Sequence, residues 1–284
     1  MQIKKVGVLG CGLMGAGIAQ VSAQAGFTTV VKEVEQQFLD KGMARIEGIL
    51  GKDVAKGKLS ADDRDATLSR LRGTTLFADL ADCDLIIEAI VENMDAKREV
   101  FSALDALCPE HTIFASNTSS LTIVEMAAVT KRPDRFAGLH FFNPVPVMKL
   151  VEIVRAITTS DATVATLREF SAAVGKTAIE ARDTTGFIVN RLLVPYLLDA
   201  VRVLESGVAT REDIDEGMKL GCGHPMGPLA LLDFVGIDTT YFIANIMFDE
   251  FREPRFAPPP LLRRMMLAGH LGRKSGRGFY EYSA

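Results

Sequence analysis

The stretch from Ile3 to Glu33 constrains this chain more than any other. Residues 3–9 read as a short buried strand that runs directly into Gly10-Cys11-Gly12-Leu13-Met14-Gly15. A helical stretch follows from Ala16 to Ala25, closed by Gly26, and Thr28–Lys32 reads as a second strand ending at Glu33. Strand, glycine turn, helix and strand within about 30 residues make a βαβ unit, whose crossover commits both strands to a parallel sheet. Gly-x-Gly-x-x-Gly by itself is a weak signal, and a plain glycine turn with a surface Glu is the bland alternative. Here the motif follows a strand, opens a helix, and has an acid 18 positions after Gly15, which together form a dinucleotide-binding fingerprint. Gly10 permits the tight turn, Gly12 lets the backbone approach a pyrophosphate, and Gly15 allows close packing of helix on strand. Backbone N–H groups of the turn and helix N-terminus, those of Leu13 and Met14 included, are the candidate phosphate donors. Glu33 is the acceptor for the adenosine ribose hydroxyls. Its charge repels a 2′-phosphate and favours NAD, while the neighbouring Lys32 leaves NADP open.

The remainder of the chain extends the pattern. Residues 35–72 interrupt the alternation with a helical hairpin, its second helix following Ser60. Strand-like runs return at 84–90, 112–116, 136–142 and 149–154, with helical patterns at 95–107, 122–129 and 161–174. This order predicts an α/β fold with a Rossmann-type doubly wound parallel sheet. Beyond Gly186 no strand is predicted, and helices are expected at 187–206, 210–220, 228–234, 238–251 and 259–269, the first kinked by Pro195. The expected domains are therefore 1–186, with the hairpin at about 35–72, and an all-α domain at 187–284.

Composition excludes several classes. With 284 residues, 48% hydrophobic and 24% charged, the chain has the makeup of a globular protein with a large core. A net charge of −4 does not suit a nucleic-acid coat, and no apolar run approaches the ~20 residues of a membrane span. The four cysteines (Cys11, Cys83, Cys108 and Cys222) are isolated, so neither a zinc site nor a disulfide framework is expected. No metal is expected. Strand-like sequence from Ile3 leaves no room for a targeting segment, and the expected location is the cytoplasm.

Three segments place polar residues where a core is expected. Ser116-Asn117-Thr118-Ser119-Ser120 follows a buried strand at the sheet edge where α/β proteins bind ligands. Thr122-x-x-Glu125 offers the alternative of a helix capping box. His140 ends another strand, and taken alone such a histidine is more often a satisfied core residue. Glu152, in Leu150-Val151-Glu152-Ile153-Val154, shares a face with Leu150 and Val154, and a carboxylate there demands a partner. His140 is the candidate, with Glu152 holding one ring nitrogen and leaving the other as a general base for alcohol oxidation. Acyl transfer by Ser119 is disfavoured because no G-x-S-x-G elbow surrounds it. Lys41, Arg45, Lys52 and Lys56 fall on one stripe of the hairpin's first helix, either a solvated face or a seat for phosphates.

These residues bring a resemblance into view. GCGLMGAGIAQ, DLIIEAIVENMDAK, IFASNTSSL, FAGLHFFNPVPVMKLVEIV, TTGFIVNRLLVPYL, HPMGPLALLDFVGID and GRKSGRGFY occur in order along nearly the whole chain. The sequence resembles the short-chain L-3-hydroxyacyl-CoA dehydrogenase family, most of all its bacterial members. The resemblance implies NAD-dependent interconversion of (S)-3-hydroxybutyryl-CoA and acetoacetyl-CoA by a free-standing homodimer. It places the catalytic pair on His140 and Glu152 and the substrate-positioning residues on Ser119 and Asn190. It puts cofactor contacts on Glu33, Glu92, Lys97, Asn117 and Ser119. It assigns coenzyme A to the hairpin, where Lys52 and Lys56 are the candidates, and dimerisation and part of the substrate site to the helical domain. The chain has Glu33 where the family often has Asp, which keeps the charge and alters the ribose geometry. A dehydrogenase of a free hydroxy acid and a non-catalytic dinucleotide-binding protein are the competing readings.

Overall fold

The six expected strands and two further ones assemble into one eight-stranded sheet of order β3-β2-β1-β4-β5-β6-β7-β8. The computed structural model describes residues 2–282, which divide into two units, Met1–Thr184 and Thr185–Ala284. In chain order the first unit holds β1 (Lys5–Leu9), α1 (Leu13–Gln24), β2 (Thr28–Lys32), α2 (Gln36–Ala55), α3 (Ala61–Ser69) and β3 (Leu71–Thr74). It continues with β4 (Leu85–Glu88), α4 (Met94–Leu107), β5 (Ile113–Ser116), α5 (Ile123–Ala127), β6 (Phe136–Phe141), β7 (Leu150–Arg155), α6 (Asp161–Ala173) and β8 (Thr177–Arg182).

Strand order reverses at β1, with β2 on one side and β4 on the other, both parallel to it. That switch point is where a doubly wound sheet opens a crevice at its carboxyl edge. Buried Val6, Val8, Val31, Leu85 and Ile87 face one layer of helices, meeting Ile18 of α1, Leu39 and Ile46 of α2 and Leu167 of α6. Phe101 of α4 packs with Phe114 and Phe136, ring centroids 5.8 and 4.5 Å away.

Three features depart from the sequence expectation. β3 and β8 were not expected as strands; each is an edge strand with a single neighbour and half or more of its residues facing solvent, so neither carries an apolar run. The hairpin therefore ends at Ser69, and residues 71–74 belong to the sheet. The sheet is also not wholly parallel: β6 and β7 pair antiparallel. Their connection is too short for the crossover that parallel neighbours need, so the chain turns straight back. Buried Lys176 pins that turn, donating to the carbonyls of Val145 at 2.5 Å and Met148 at 2.7 Å. Burial, helped by nearby Lys149, lowers the Lys176 pKa from its ordinary value.

The second unit is helical: α7 (Val189–Glu205), α8 (Arg211–Cys222), α9 (Pro228–Val235), α10 (Ile237–Phe251) and α11 (Pro260–Leu267). Pro195 lies inside α7. Leu197, Leu198 and Val201 of α7 pack with Leu229 and Leu232 of α9, Met247 of α10 and Leu262 of α11. Two buried aspartates fasten this bundle. Asp215 accepts the N–H groups of Leu229 (2.7 Å) and Ala230 (2.9 Å) at the start of α9 and the Tyr280 hydroxyl at 2.9 Å. Asp233 accepts the Phe279 and Tyr280 N–H groups and the Tyr282 hydroxyl, each at 2.9 Å. Burial and this bond push the Tyr282 hydroxyl up to about 12, so it remains a donor at neutral pH.

Asp233→Ala would strand the Phe279 and Tyr280 N–H groups, one of them fully buried, at about 1–3 kcal/mol each. Thermal unfolding of this variant is expected to show a loss of about 2–4 kcal/mol; an unchanged melting temperature would mean that the aspartate does not fasten the C-terminal segment.

Candidate active site

The glycine turn leaves β1 at the switch point. Gly10 has φ +89°, and a Cβ there would stand 2.6 Å from the Ala89 carbonyl oxygen. Gly15 is still tighter, since a Cβ would lie 1.9 Å from the Gly10 carbonyl oxygen. Gly12 differs: nothing lies within 4 Å of its would-be Cβ. It caps α1 without any side-chain hydrogen bond, and the first turn carries no acid. The space around Gly12 at the N-terminus of α1 is therefore open, and with the partial positive charge of the helix end it makes a cradle that fits a pyrophosphate. Glu33 closes one side of it. Its Oε2 accepts the Cys11 N–H at 2.7 Å and its Oε1 the Val34 N–H at 2.8 Å. A carboxylate has about four acceptor sites, so two stay available for ribose hydroxyls. These features fit a dinucleotide.

Lys32, which left NADP open, is buried against an aromatic ring. It is 7% exposed, and its Nζ lies 4.1 Å from the centroid of the Phe77 ring. Burial lowers its pKa, against the opposing pull of Glu33. The cation that would have welcomed a 2′-phosphate is stacked on an aromatic face.

The five small polar residues after β5 resolve by alternation. Ser116, Thr118 and Ser120 are buried, whereas Asn117 and Ser119 are half-buried. The inward three meet two glutamates. Ser116 Oγ donates to Glu88 Oε2 at 2.6 Å, while Thr118 and Ser120 hydroxyls donate to Glu92 Oε1 at 2.5 and 3.2 Å. The Ser119 N–H also reaches Glu92 Oε1, at 3.2 Å. The alternative reading, a capping box at Thr122–Glu125, does not form. Thr122 makes no side-chain cap bond, and the Asp183 carboxylate instead takes the Ile123 and Val124 N–H groups at 2.9 and 2.8 Å.

Lys97 is buried behind this loop. Its side chain is 1% exposed, and its Nζ lies 2.6 Å from Glu88 Oε1 and 3.2 Å from Glu92 Oε2. It pairs with both carboxylates behind the loop. Glu88, which the sequence reading passed over, is fully buried at the end of β4 and also accepts the Ile90 N–H at 2.8 Å. A Glu inside the apolar run Leu85-Ile86-Ile87-Glu88 was the available signal, of the same kind that exposed Glu152.

His140 and Glu152 are direct cross-strand partners in the antiparallel β6–β7 pair. His140 Nδ1 lies 2.7 Å from Glu152 Oε2, with Glu152 wholly buried and His140 nearly so. A carboxylate in this place orients the ring through Nδ1, an arrangement that suits a general acid/base acting through Nε2. Asn117 connects this pair to the cofactor side. Its Oδ1 accepts the Phe141 N–H at 2.9 Å, beside His140, and its backbone N–H bonds the Glu88 carbonyl at 2.8 Å. Because a backbone N–H holds the amide oxygen, the Asn117 amide nitrogen is the end left to act as donor.

Lys41, Lys52 and Lys56 are exposed and Arg45 is half-buried. Lys52 lies in the last turn of α2, and Lys56 is its C-cap. Asn190 stands in the first turn of α7, in the second unit.

Residues 5–184 match the family described as 3-hydroxyacyl-CoA dehydrogenase, NAD binding domain, and residues 186–282 match its C-terminal domain. A 3-hydroxybutyryl-CoA dehydrogenase of Mycobacterium tuberculosis is 50% identical over 282 residues, covering 99% of each chain. The mitochondrial hydroxyacyl-coenzyme A dehydrogenase of Homo sapiens is 51% identical over 288 residues, covering 99% of this chain and 91% of that protein. The crystal structure of (S)-3-hydroxybutyryl-CoA dehydrogenase PaaH1 from Ralstonia eutropha superposes with a TM-score of 0.96 at 46% identity, covering 100% of both chains.

The two inner glycines separate packing from binding. Gly15→Ala is expected to lower stability by about 1–3 kcal/mol through overpacking. Gly12→Ala is expected to cost less than about 1 kcal/mol yet weaken NADH binding at least about tenfold, because its methyl group projects into the cradle. Thermal melts and NADH titrations of both variants check this, and unweakened binding by Gly12→Ala would remove the pyrophosphate from this turn.

Proposed function

The chain belongs to the 3-hydroxyacyl-CoA dehydrogenase family, and from that premise we propose that it interconverts (S)-3-hydroxybutyryl-CoA and acetoacetyl-CoA with NAD. The observation that carries the reading is the buried His140–Glu152 pair at the carboxyl edge of a dinucleotide-binding sheet. When bound, NAD accepts the hydride from the carbinol carbon, and NADH returns it.

In oxidation, His140 Nε2 takes the 3-hydroxyl proton while Glu152 offsets the charge that develops on the ring. In reduction the imidazolium gives the proton back to the oxygen of the 3-keto group. Ser119 and Asn190 position the substrate oxygens, as the resemblance implies, and Glu92 holds the Ser119 loop by its backbone. Asn117, with its amide oxygen committed to β6, offers its amide nitrogen to the cofactor. Gly10, Gly12, Leu13, Met14 and Gly15 hold the pyrophosphate, and Glu33 holds the ribose and selects against a 2′-phosphate. The exposed ammonium groups of Lys52 and Lys56 have no ion-pair partner among the described residues, which supports their use on the phosphates of coenzyme A.

The second unit is read as the dimerisation and substrate domain, with residues 1–186 as the NAD-binding domain. Leu192, Leu220 and Phe242 are 73%, 78% and 57% exposed, an amount of uncovered apolar surface that supports a homodimer. Among the described residues no single helix is long and apolar enough to cross a membrane. We place the enzyme in the cytoplasm, acting in short-chain fatty acid and butanoate metabolism.

His140→Ala tests the central assignment. Turnover of acetoacetyl-CoA is expected to fall about a thousandfold or more while NADH binding, read by fluorescence, stays within about twofold. Comparable turnover in the variant would remove His140 from the chemistry. The Lys52→Ala/Lys56→Ala pair is expected to raise KM for the CoA thioester about tenfold with little change in kcat, as lost uniform binding does. An unchanged KM would free the hairpin of that role.

A further inference from the structure

The helix behind the glycine turn carries a glycine that the helix itself does not explain. Three lie within α2, Gly42, Gly48 and Gly51, and glycine inside a helix is less stable than alanine because it loses more backbone freedom on folding. Around Gly48 and Gly51 nothing lies within 4 Å of a would-be Cβ. Gly42 is different. It is buried, and a Cβ there would strike the Sγ and the carbonyl oxygen of Cys11 and stand 2.8 Å from the Cys11 Cβ. A sulfur can swing aside with its rotamer, but the carbonyl belongs to the backbone of the turn.

Cys11 sits between Gly10 and Gly12, and the turn is held on its other sides as well. The Gly10 N–H donates to the Lys32 carbonyl at 2.8 Å, and the Cys11 N–H donates to Glu33 Oε2 at 2.7 Å. Gly10 itself lies against the Ala89 carbonyl, just past the end of β4. α2 is anchored in turn by Leu39, Ile46 and Leu50, all buried in the core. β2, the end of β4 and α2 thus hold the turn from three sides, and the space at Gly12 is the side left open. With α2 anchored, added bulk at position 42 pushes the turn toward that space.

We infer that Gly42 is a positioning residue: its bare Cα lets α2 seat against Cys11 and fixes how far the glycine turn stands into the cradle for the dinucleotide. The inference rests on the reading of that turn as the pyrophosphate site. It gives α2 two duties at different points of its length. Gly42 backs the cofactor turn, while Lys52, ten residues further on, lies about 15 Å along the helix axis. Displacement of the turn and displacement of the whole helix therefore have different signatures. The first weakens the cofactor alone, and the second also disturbs the lysines proposed for coenzyme A.

The test compares three glycines. NADH is titrated by its own fluorescence, and the kinetics of acetoacetyl-CoA reduction are measured, in the wild-type protein, Gly42→Ala, Gly48→Ala and Gly73→Ala. In Gly42→Ala the NADH dissociation constant is expected to rise about tenfold or more, with kcat at saturating NADH and KM for acetoacetyl-CoA each within about twofold. Gly48→Ala fills open space on the same helix and is expected to leave NADH binding within about twofold. Gly73→Ala presses on the same helix away from the turn, since its Cβ would meet the Leu39 side chain at 3.0–3.2 Å, and is expected to spare NADH binding as well. If Gly42→Ala does not fold, Cys11→Val adds bulk to the same contact from the turn's side and is expected to weaken NADH in the same sense. Unweakened NADH binding in the variant that loads this contact overturns the inference, and a raised KM for the thioester beside it would show that the helix yields instead of the turn. An equal loss of NADH affinity in Gly73→Ala also overturns it, because the effect would then belong to packing of the hairpin at large. Failure of the wild-type protein to bind NADH would instead overturn the dinucleotide reading on which it rests.

Discussion

A carboxylate with no access to water must be met by donors, and two such carboxylates organise the functional edge of this sheet. Glu152 and Glu88 are both fully buried. Glu152 is answered by the imidazole of His140 across the antiparallel β6–β7 pair. Glu88 is answered by Lys97, Ser116 and a backbone N–H. Removing either partner would leave an unpaired charge, which costs several kcal/mol, so each cluster fixes the elements around it. Between the two clusters runs Asn117, bonded by its backbone to Glu88 and by its side chain to the strand of His140. The cofactor side and the proton-transfer side are thereby built as one hydrogen-bonded edge, the kind of support that holds a reacting geometry in place.

The glycine turn supplies the other constraint. Gly10 and Gly15 are required by the protein's own backbone, since any side chain would strike Ala89 or Gly10 itself. Gly12 is surrounded by open space and is required by nothing in the protein. That contrast separates glycines that build the turn from the one that leaves it open. Glu33 then links the turn to β2 through the Cys11 N–H, so the carboxylate beside the glycine turn also braces it. Lys32, the neighbouring cation on β2, is buried with its ammonium over the Phe77 ring.

Much of this was legible in the sequence, where burial leaves a periodic trace. The strand–turn–helix unit, the buried central strands and the His140–Glu152 pair followed from patterns that core packing imposes. β3 and β8 were not legible, because edge strands are covered on one side only and carry mixed residues. The antiparallel turn between β6 and β7 was implicit in the shortness of their connection but was not drawn from it. Glu88 was missed although Leu85-Ile86-Ile87-Glu88 holds the same anomaly as Leu150-Val151-Glu152. The alternation of Ser116 to Ser120 could not be read either, because a run of small polar residues has no hydrophobic period, and its inward partners, Glu88 and Glu92, lie at and just beyond the end of β4.

The account stands most directly on cofactor and substrate together. Initial rates of acetoacetyl-CoA reduction, measured with NADH and NADPH side by side at equal concentrations, test both at once. The arrangement of Glu33, Lys32 and His140 predicts rapid turnover with NADH, exceeding that with NADPH by at least about tenfold. A preference for NADPH would contradict the reading of Glu33 and Lys32, and absence of turnover with either cofactor would contradict the proposed reaction itself.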